Sequence, residues 1–251
     1  MRTTTVSVPF HVGERVPLFP APADSEMLAP DLPSGDAQAR MTFLFEQLAR
    51  RVAESERCVV YAGDCMAPLG ALAGLQRRGV SPFLVWFDAH GDFNTWETTP
   101  SGYIGGMPIA MLVGRGEQTI VAGIGLEPFD EARIVIADAR DLDPPERVAL
   151  AASGVRVADV DGIGDLLPPA GSIAVHLDVD VVDPGEMPAL RFPAPGGPPV
   201  SGVESALRLL AATGRIDCVT VACTWDPARE GAAAAARTTE RLVSCLAERP
   251  A

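Results

Sequence analysis

Apolar residues along this chain fall into short runs that alternate with stretches repeating every three to four positions. Runs over 3–9, 57–65, 83–87, 132–137, 155–157, 172–178 and 216–223 are bounded by Gly, Pro or acidic residues, and each predicts a strand. A further strand is expected over 118–124. Helical spacing is clearest over 38–56, where Met41, Leu44, Phe45, Leu48 and Val52 share one face. Shorter helices are expected over 69–78, 108–112 and 203–210, and a last one over 231–247 carries the alanine run 232–236. Strands alternating with helices predict an α/β fold, a sandwich around a mostly parallel sheet.

Two of these runs end in a way that a purely structural strand would not require. Phe83 to Phe87 is apolar throughout and reads as a strand buried on both faces, followed at once by Asp88-Ala89-His90-Gly91-Asp92. At a strand end alternate residues project to one side, so Asp88, His90 and Asp92 are expected to converge. Two carboxylates beside an imidazole, with no Lys or Arg between them, call for a cation, and a metal ion is the simplest one. Residues 172–183 repeat the logic with Asp178, Asp180 and Asp183, and the run 57–65 stops at Gly63-Asp64-Cys65. Parallel sheets bind ligands at the carboxyl edge. There Cys65, Asp88, His90, Asp92, Asp178 and Asp180 offer more ligands than one ion needs. Two divalent ions sharing carboxylates would use them all, and oxygen-rich ligation suits Mn(II) or Mg(II) better than structural zinc.

Composition narrows the partners. At 251 residues, with 47% hydrophobic and 21% charged side chains, the chain is expected to form a single α/β domain (1–251). Its formal charge of -13, with no basic block, argues against nucleic acid and against an anionic membrane. The same acidity fits a small cationic substrate, although solubility is the commoner reason for it. No apolar run reaches membrane-spanning length and the first residues lack a signal-peptide pattern, so a cytoplasmic location is expected. The five cysteines form no CxxC pair and read as reduced thiols.

Gly63-Asp64-Cys65, Asp88-Ala89-His90-Gly91-Asp92-Phe93-Asn94 and Asp178-Val179-Asp180-Val181-Val182-Asp183-Pro184 resemble, in order and interval, the three signature blocks of the arginase and agmatinase (ureohydrolase) family. The resemblance implies a three-layer α/β/α sandwich with a largely parallel sheet of about eight strands. It also implies a binuclear manganese centre that hydrolyses a guanidinium or amidine C–N bond, in a homo-oligomer. Carried over by position, Asp88 and Asp178 would bridge two Mn(II) ions. Asp92 and Cys65 would complete one shell, His90 and Asp180 the other. Asp92 would orient the attacking hydroxide, and Asp183 would support the ligand loop from behind.

Departures from the family pattern bear on the substrate. The family carries His at the position of Cys65. A thiolate is softer and must lose a proton, so this ion could be weakly held or absent, and Cys65 as ligand or as neighbour of a half-filled site both stay open. Gly105 falls where a histidine assists proton transfer to the leaving group. Thr224 falls where a glutamate meets the guanidinium, a loss worth several kcal/mol of recognition. Asn94 and Ser101 match positions that hold the substrate's α-carboxylate, Tyr103 replaces a smaller amide there, and Asp130 is the candidate for the α-ammonium. These departures favour an N-hydroxylated or otherwise modified guanidine over plain arginine. Two alternatives follow from the residue types: attack by the Cys65 thiolate with His90 as base, and a catalytically degenerate member that binds metal in a structural or regulatory role. His176 reads as a core or supporting histidine, Trp86 as core, Trp225 as pocket wall, and His11 carries no signal.

Overall fold

The computed structural model describes residues 3–247. In chain order the elements are β1 (Thr3–Val8), β2 (Phe10–His11), β3 (Glu14–Arg15), β4 (Glu26–Met27), α1 (Ala37–Ala53), β5 (Arg57–Ala62), α2 (Ala67–Arg77), β6 (Phe83–His90), α3 (Pro108–Leu112), α4 (Thr119–Gly123), β7 (Ile134–Asp141), α5 (Pro144–Ala151), β8 (Arg156–Ala158), β9 (Ile173–Asp178), α6 (Val200–Ala212), β10 (Ile216–Ala222) and α7 (Ala232–Ala247). Eight strands form one sheet in the order β4-β1-β5-β10-β9-β6-β7-β8. Every pairing within it is parallel, as the strand–helix alternation requires. A two-residue antiparallel hairpin, β2 with β3, stands outside it.

Alternation along β6 separates the two cores. Leu84 and Trp86 point into the layer that holds the buried faces of α1 and α2, while Val85 and Phe87 point into the layer of α6 and α7. In α1 the buried residues are Met41, Leu44, Phe45, Leu48, Ala49 and Val52, the face that the periodicity marks, and Asp36 caps its start by accepting from the Ala39 N–H at 2.8 Å. Helices cover both faces, giving three layers.

The two-residue strands β2, β3 and β4 have no counterpart in the sequence pattern, and two longer elements depart from it. Residues 118–124 are not a strand: α4 lies there, with Ile120, Val121 and Ile124 buried. A short β-branched run fits either period, and packing against α1 settles it as a helix. The second is α5, over a stretch where the apolar pattern predicts no element and where Pro144-Pro145 disfavours a helix interior. Those prolines instead occupy the first turn of the helix, where no N–H is needed, and Asp143 and Glu146 close it as a capping box.

Candidate metal centre

Five adjacent strands, β5, β10, β9, β6 and β7, end together at the carboxyl edge of the sheet and line one cavity of about 270 Å³. The register places Asp88 and Asp178 side by side, since Trp86 pairs with His176 and Phe87 with Leu177. Cys65 follows β5, Asp180 lies in the helical turn after β9, and Thr224 follows β10. Asp92 reaches the cavity differently from the expected alternation. Strand β6 stops at His90 and Asp92 turns back with φ of 49°, a left-handed conformation that Asp tolerates better than most residues.

What brings that turn into place is Glu146, a residue that no motif in the sequence marks. One carboxylate oxygen of Glu146 accepts the Phe93 N–H at 2.8 Å and the other accepts the Asp143 N–H at 3.3 Å, tying α5 to the loop after β6. Burial pushes the Glu146 carboxyl up to about 7. Gly91 makes room for it: a Cβ there would lie 2.5 Å from a Leu142 methyl and 2.8 Å from the Glu146 carboxyl carbon. Gly91→Ala is therefore expected to cost about 1–3 kcal/mol in denaturant unfolding, by forcing a packed wall apart.

The candidate ligands are packed against one another. Cys65 Sγ donates to Asp178 Oδ2 at 2.7 Å and lies 3.7 Å from Asp88 Oδ2. His90 Nδ1 lies 3.2 Å from Asp88 Oδ1 and 3.4 Å from Asp180 Oδ2. Backbone groups hold the carboxylates: the His90 N–H donates to Asp88 at 2.7 Å and the Asp180 N–H to Asp178 at 2.9 Å. Trp86 Nε1 donates to Asp88 Oδ2 at 3.1 Å. Asp88 belongs to both groups of potential ligands, Cys65–Asp88–His176 and Asp88–His90–Asp180, and in each the ligating atoms lie within 4.8 Å of one another.

Electrostatics show that the carboxylates of this arrangement outnumber its positive charge. Asp88, Asp92, Asp178 and Asp180 are all buried, and no Lys or Arg lines the cavity. Burial and then the neighbouring carboxylates drive Asp178 and Asp92 well above the usual carboxylate range and carry Asp180 up to about 6. Cys65 is pushed up by burial and then by all four aspartates. Burial opposes the charged form of His90, yet its hydrogen bonds to Asp180 and Asp88 carry it up to about 12, and that imidazolium in turn holds Asp88 below its ordinary value against its own burial. Among the described residues, Asp92 Oδ2 is a buried oxygen with no hydrogen-bond partner, and so is His176 Nε2 among the nitrogens. Unsatisfied lone pairs beside a cluster of carboxylates and a thiol are the donor set a divalent cation fits.

The remaining sequence candidates divide. Asn94, Ser101, Tyr103 and Thr224 line the cavity. Asn94 Nδ2 donates to Asp143 Oδ2 at 3.0 Å, and Thr224 donates to Asp178 Oδ1 at 2.5 Å. Asp130 does not reach it. This residue is exposed and caps a short helical turn, accepting from the Ala132 N–H at 3.0 Å. The cavity's carboxylates at that end are Asp141 and Asp143, carried by the close of β7 and the start of α5. Asp183 stands behind the site, accepting from the Gly185 N–H at 2.7 Å while its own N–H donates to the Pro198 carbonyl at 3.0 Å, which pins the loop after β9.

His11, silent in the sequence, backs the cavity wall by contacting the lining residues Tyr103 and Phe192. Asp64 accepts the Val12 N–H at 2.5 Å and so clasps the β2–β3 hairpin onto the loop after β5. His11 Nδ1 then lies 2.9 Å from the Gly63 carbonyl, which can only accept, and Nε2 lies 3.1 Å from the Tyr103 hydroxyl. Tyr103, His11 and Phe192 cluster as three mutually contacting rings, with centroids 5.9 Å apart for Tyr103 and His11, 5.2 Å for Tyr103 and Phe192, and 6.3 Å for His11 and Phe192. A Cβ on Gly105 would meet the Tyr103 ring and hydroxyl at 2.3–2.4 Å, so Tyr103 fills the volume a side chain at 105 would take.

Known proteins resemble the chain along most of its length. A family model described as the arginase family matches residues 24–245. The arginase of Bacillus subtilis is 35% identical over 181 residues, covering 65% of this chain and 60% of that protein. The N(omega)-hydroxy-L-arginine amidinohydrolase of Streptomyces lavendulae is 32% identical over 186 residues, covering 71% of this chain and 63% of that protein. The aligned part thus spans about 60% of the length of the curated relatives. In three dimensions, the crystal structure of Bacillus subtilis arginase superposes with a TM-score of 0.84 at 26% identity, covering 100% of this chain and 99% of the other. No helix among the described residues is long and apolar enough to cross a membrane.

Proposed function

We propose, from the premise that this chain belongs to the arginase family, that it hydrolyses a C–N bond of a small cationic guanidino compound at a two-metal centre, with an N-hydroxyguanidine preferred over arginine. The convergence of Cys65, Asp88, His90, Asp92, Asp178 and Asp180 in one buried cavity carries this reading. Two divalent ions, Mn(II) on the oxygen-rich Asp88–His90–Asp180 side, would supply the Lewis acidity that makes water nucleophilic at neutral pH. Asp92, with one oxygen unpartnered, is the group placed to orient that water and hold its proton.

Thr224 and Tyr103 support the modified substrate. Thr224 offers a neutral oxygen, already committed as a donor to Asp178, where a carboxylate would bind a guanidinium strongly. His11 Nδ1–H faces the Gly63 carbonyl, so in the neutral ring Nε2 accepts the Tyr103 hydroxyl proton. The Tyr103 oxygen then presents lone pairs to the cavity and accepts from an additional donor such as N–OH. The S. lavendulae relative, named for an N-hydroxyarginine substrate, fits the same direction. Attack by Cys65 is disfavoured, because burial and four neighbouring aspartates keep its thiol protonated until a cation binds.

Assays of urea or amine release with hydroxyarginine, arginine, agmatine, formiminoglutamate and guanidinobutyrate test the proposal. Hydroxyarginine should lead arginine in kcat/KM by at least about tenfold, which is 1.4 kcal/mol of discrimination. Equal failure on all five by metal-loaded protein would overturn it. Within the same assay, Tyr103→Phe should raise KM for hydroxyarginine about tenfold while changing kcat little, the signature of a lost binding contact.

A further inference from the structure

His176 lies two residues before Asp178 on β9, on the same face of the strand and directly beneath the candidate ligands. It is 1% exposed and its ring centroid is 3.9 Å from that of Trp86, which fixes the plane of the imidazole. Nδ1 lies 2.8 Å from Thr220 Oγ1, and that hydroxyl lies 3.5 Å from the Val175 carbonyl, its outlet as a donor. With the hydroxyl donating to that carbonyl, its oxygen accepts from Nδ1–H and the lone pair of the ring is on Nε2. That nitrogen has no hydrogen-bond partner among the described residues. His176 is also grouped with Cys65 and Asp88, one ligating atom from each lying within 4.8 Å of the others.

We infer that His176 Nε2 is a metal ligand, replacing from below the imidazole that the Cys65 position no longer provides, so that Cys65, Asp88 and His176 hold one ion. The inference rests on the metal-centre reading but not on the identity of the substrate. Ligand atoms sharing one tetrahedral ion at ordinary zinc–sulfur and zinc–nitrogen bond lengths lie about 3.6 Å apart. The three groups are within 4.8 Å of one another, so a closing movement of roughly 1 Å brings them to that spacing. Donor chemistry then makes the two positions unequal. Thiolate, imidazole and one carboxylate form a softer set that selects Co(II), Zn(II) or Fe(II), whereas Asp88, His90 and Asp180 keep the harder set suited to Mn(II). Binding replaces the Cys65 S–H bond by a sulfur–metal bond, and the thiol proton leaves to solvent.

Co(II) titration of the metal-free full chain tests this, because thiolate ligation gives a charge-transfer band that carboxylates and imidazoles do not. Wild type should bind two ions, one of them producing the band. His176→Ser should lose that ion or weaken its Kd at least about 30-fold, leaving the other in place. The double variant C65H/H176S, with an imidazole returned to position 65, should recover two ions and show no thiolate band. That recovery excludes misfolding as the cause of the loss in the single variant, and should H176S fail to fold, H176Q is titrated in its place. Wild type that binds two ions while the His176 variant matches it within threefold, band included, overturns the assignment of His176 and leaves the metal centre standing. Wild type that takes up no ion overturns both.

Discussion

Replacing Asp88 by Asn should abolish turnover, lowering kcat/KM by at least about a thousandfold, equivalent to some 4 kcal/mol of lost transition-state stabilisation. The size follows from position. Asp88 is the side chain common to both groups of potential ligands, its two oxygens facing Cys65 and Trp86 on one side and His90 on the other. Asparagine keeps the shape and can still accept from the His90 N–H, but it removes the negative charge shared between the two positions. Metal content measured on the variant should fall by both ions, not one. A folded Asp88→Asn protein that retains two ions and native turnover would show that the cavity's chemistry is organised around some other residue.

Metal-free protein should lose stability steadily from pH 5 to pH 8, while metal-loaded protein does not. Asp180 titrates near 6 and Glu146 near 7 in the fold, both above their ordinary values because of burial, and Asp92 and Asp178 are displaced in the same direction. A carboxyl whose folded value is raised binds more protons folded than unfolded, so its penalty grows as pH rises from the unfolded value through the folded one. His90 acts with the same sign. Its raised value gives stability that is complete below the unfolded histidine range and drains away as pH climbs toward about 12. Asp88, lowered instead, contributes stability that is complete above the ordinary carboxylate range and changes nothing between pH 5 and 8. For Asp180 alone the penalty is about 3 kcal/mol in total, of which about half accrues between pH 5 and pH 8, so the gap in Tm between loaded and metal-free protein should widen by roughly 3–6 °C across this interval. Thermal melts with and without chelator at pH 5, 6, 7 and 8 measure it, and a constant gap would mean that the carboxylates do not repel one another.

How much of this could be read from sequence depended on range. The acidic residues that end β6 and β9 stand beside their own strands, so Asp88, His90, Asp178 and Asp180 were legible as a converging group. The strand–helix alternation that yields a parallel sheet was equally local. Alternation along β6 predicts Asp92 in the cavity, but the strand has already ended there, and a left-handed turn held by Glu146 brings the carboxylate in. His11 was invisible because its meaning lies in contacts 52 and 92 residues away, with Gly63 and Tyr103. Asp130 lies in the loop before β7 and caps a helical turn, while Asp143, just before Pro144-Pro145 at the start of α5, lines the cavity, a placement that depends on a helix the apolar pattern does not mark. His176 shows the opposite limit. Its place on an apolar strand marked it as buried, yet only three-dimensional accounting of hydrogen bonds reveals that one of its nitrogens has no partner.

The proposed chemistry of this cavity depends on divalent cations neutralising four buried aspartates. The most direct measurement is anomalous diffraction from crystals grown with Mn(II) and Co(II). Two peaks should flank Asp88, each within about 2.0–2.5 Å of its nearest ligands, with Asp178 touching at least one. Density maps with no anomalous peak in contact with Asp88 or Asp178 would contradict the metal centre.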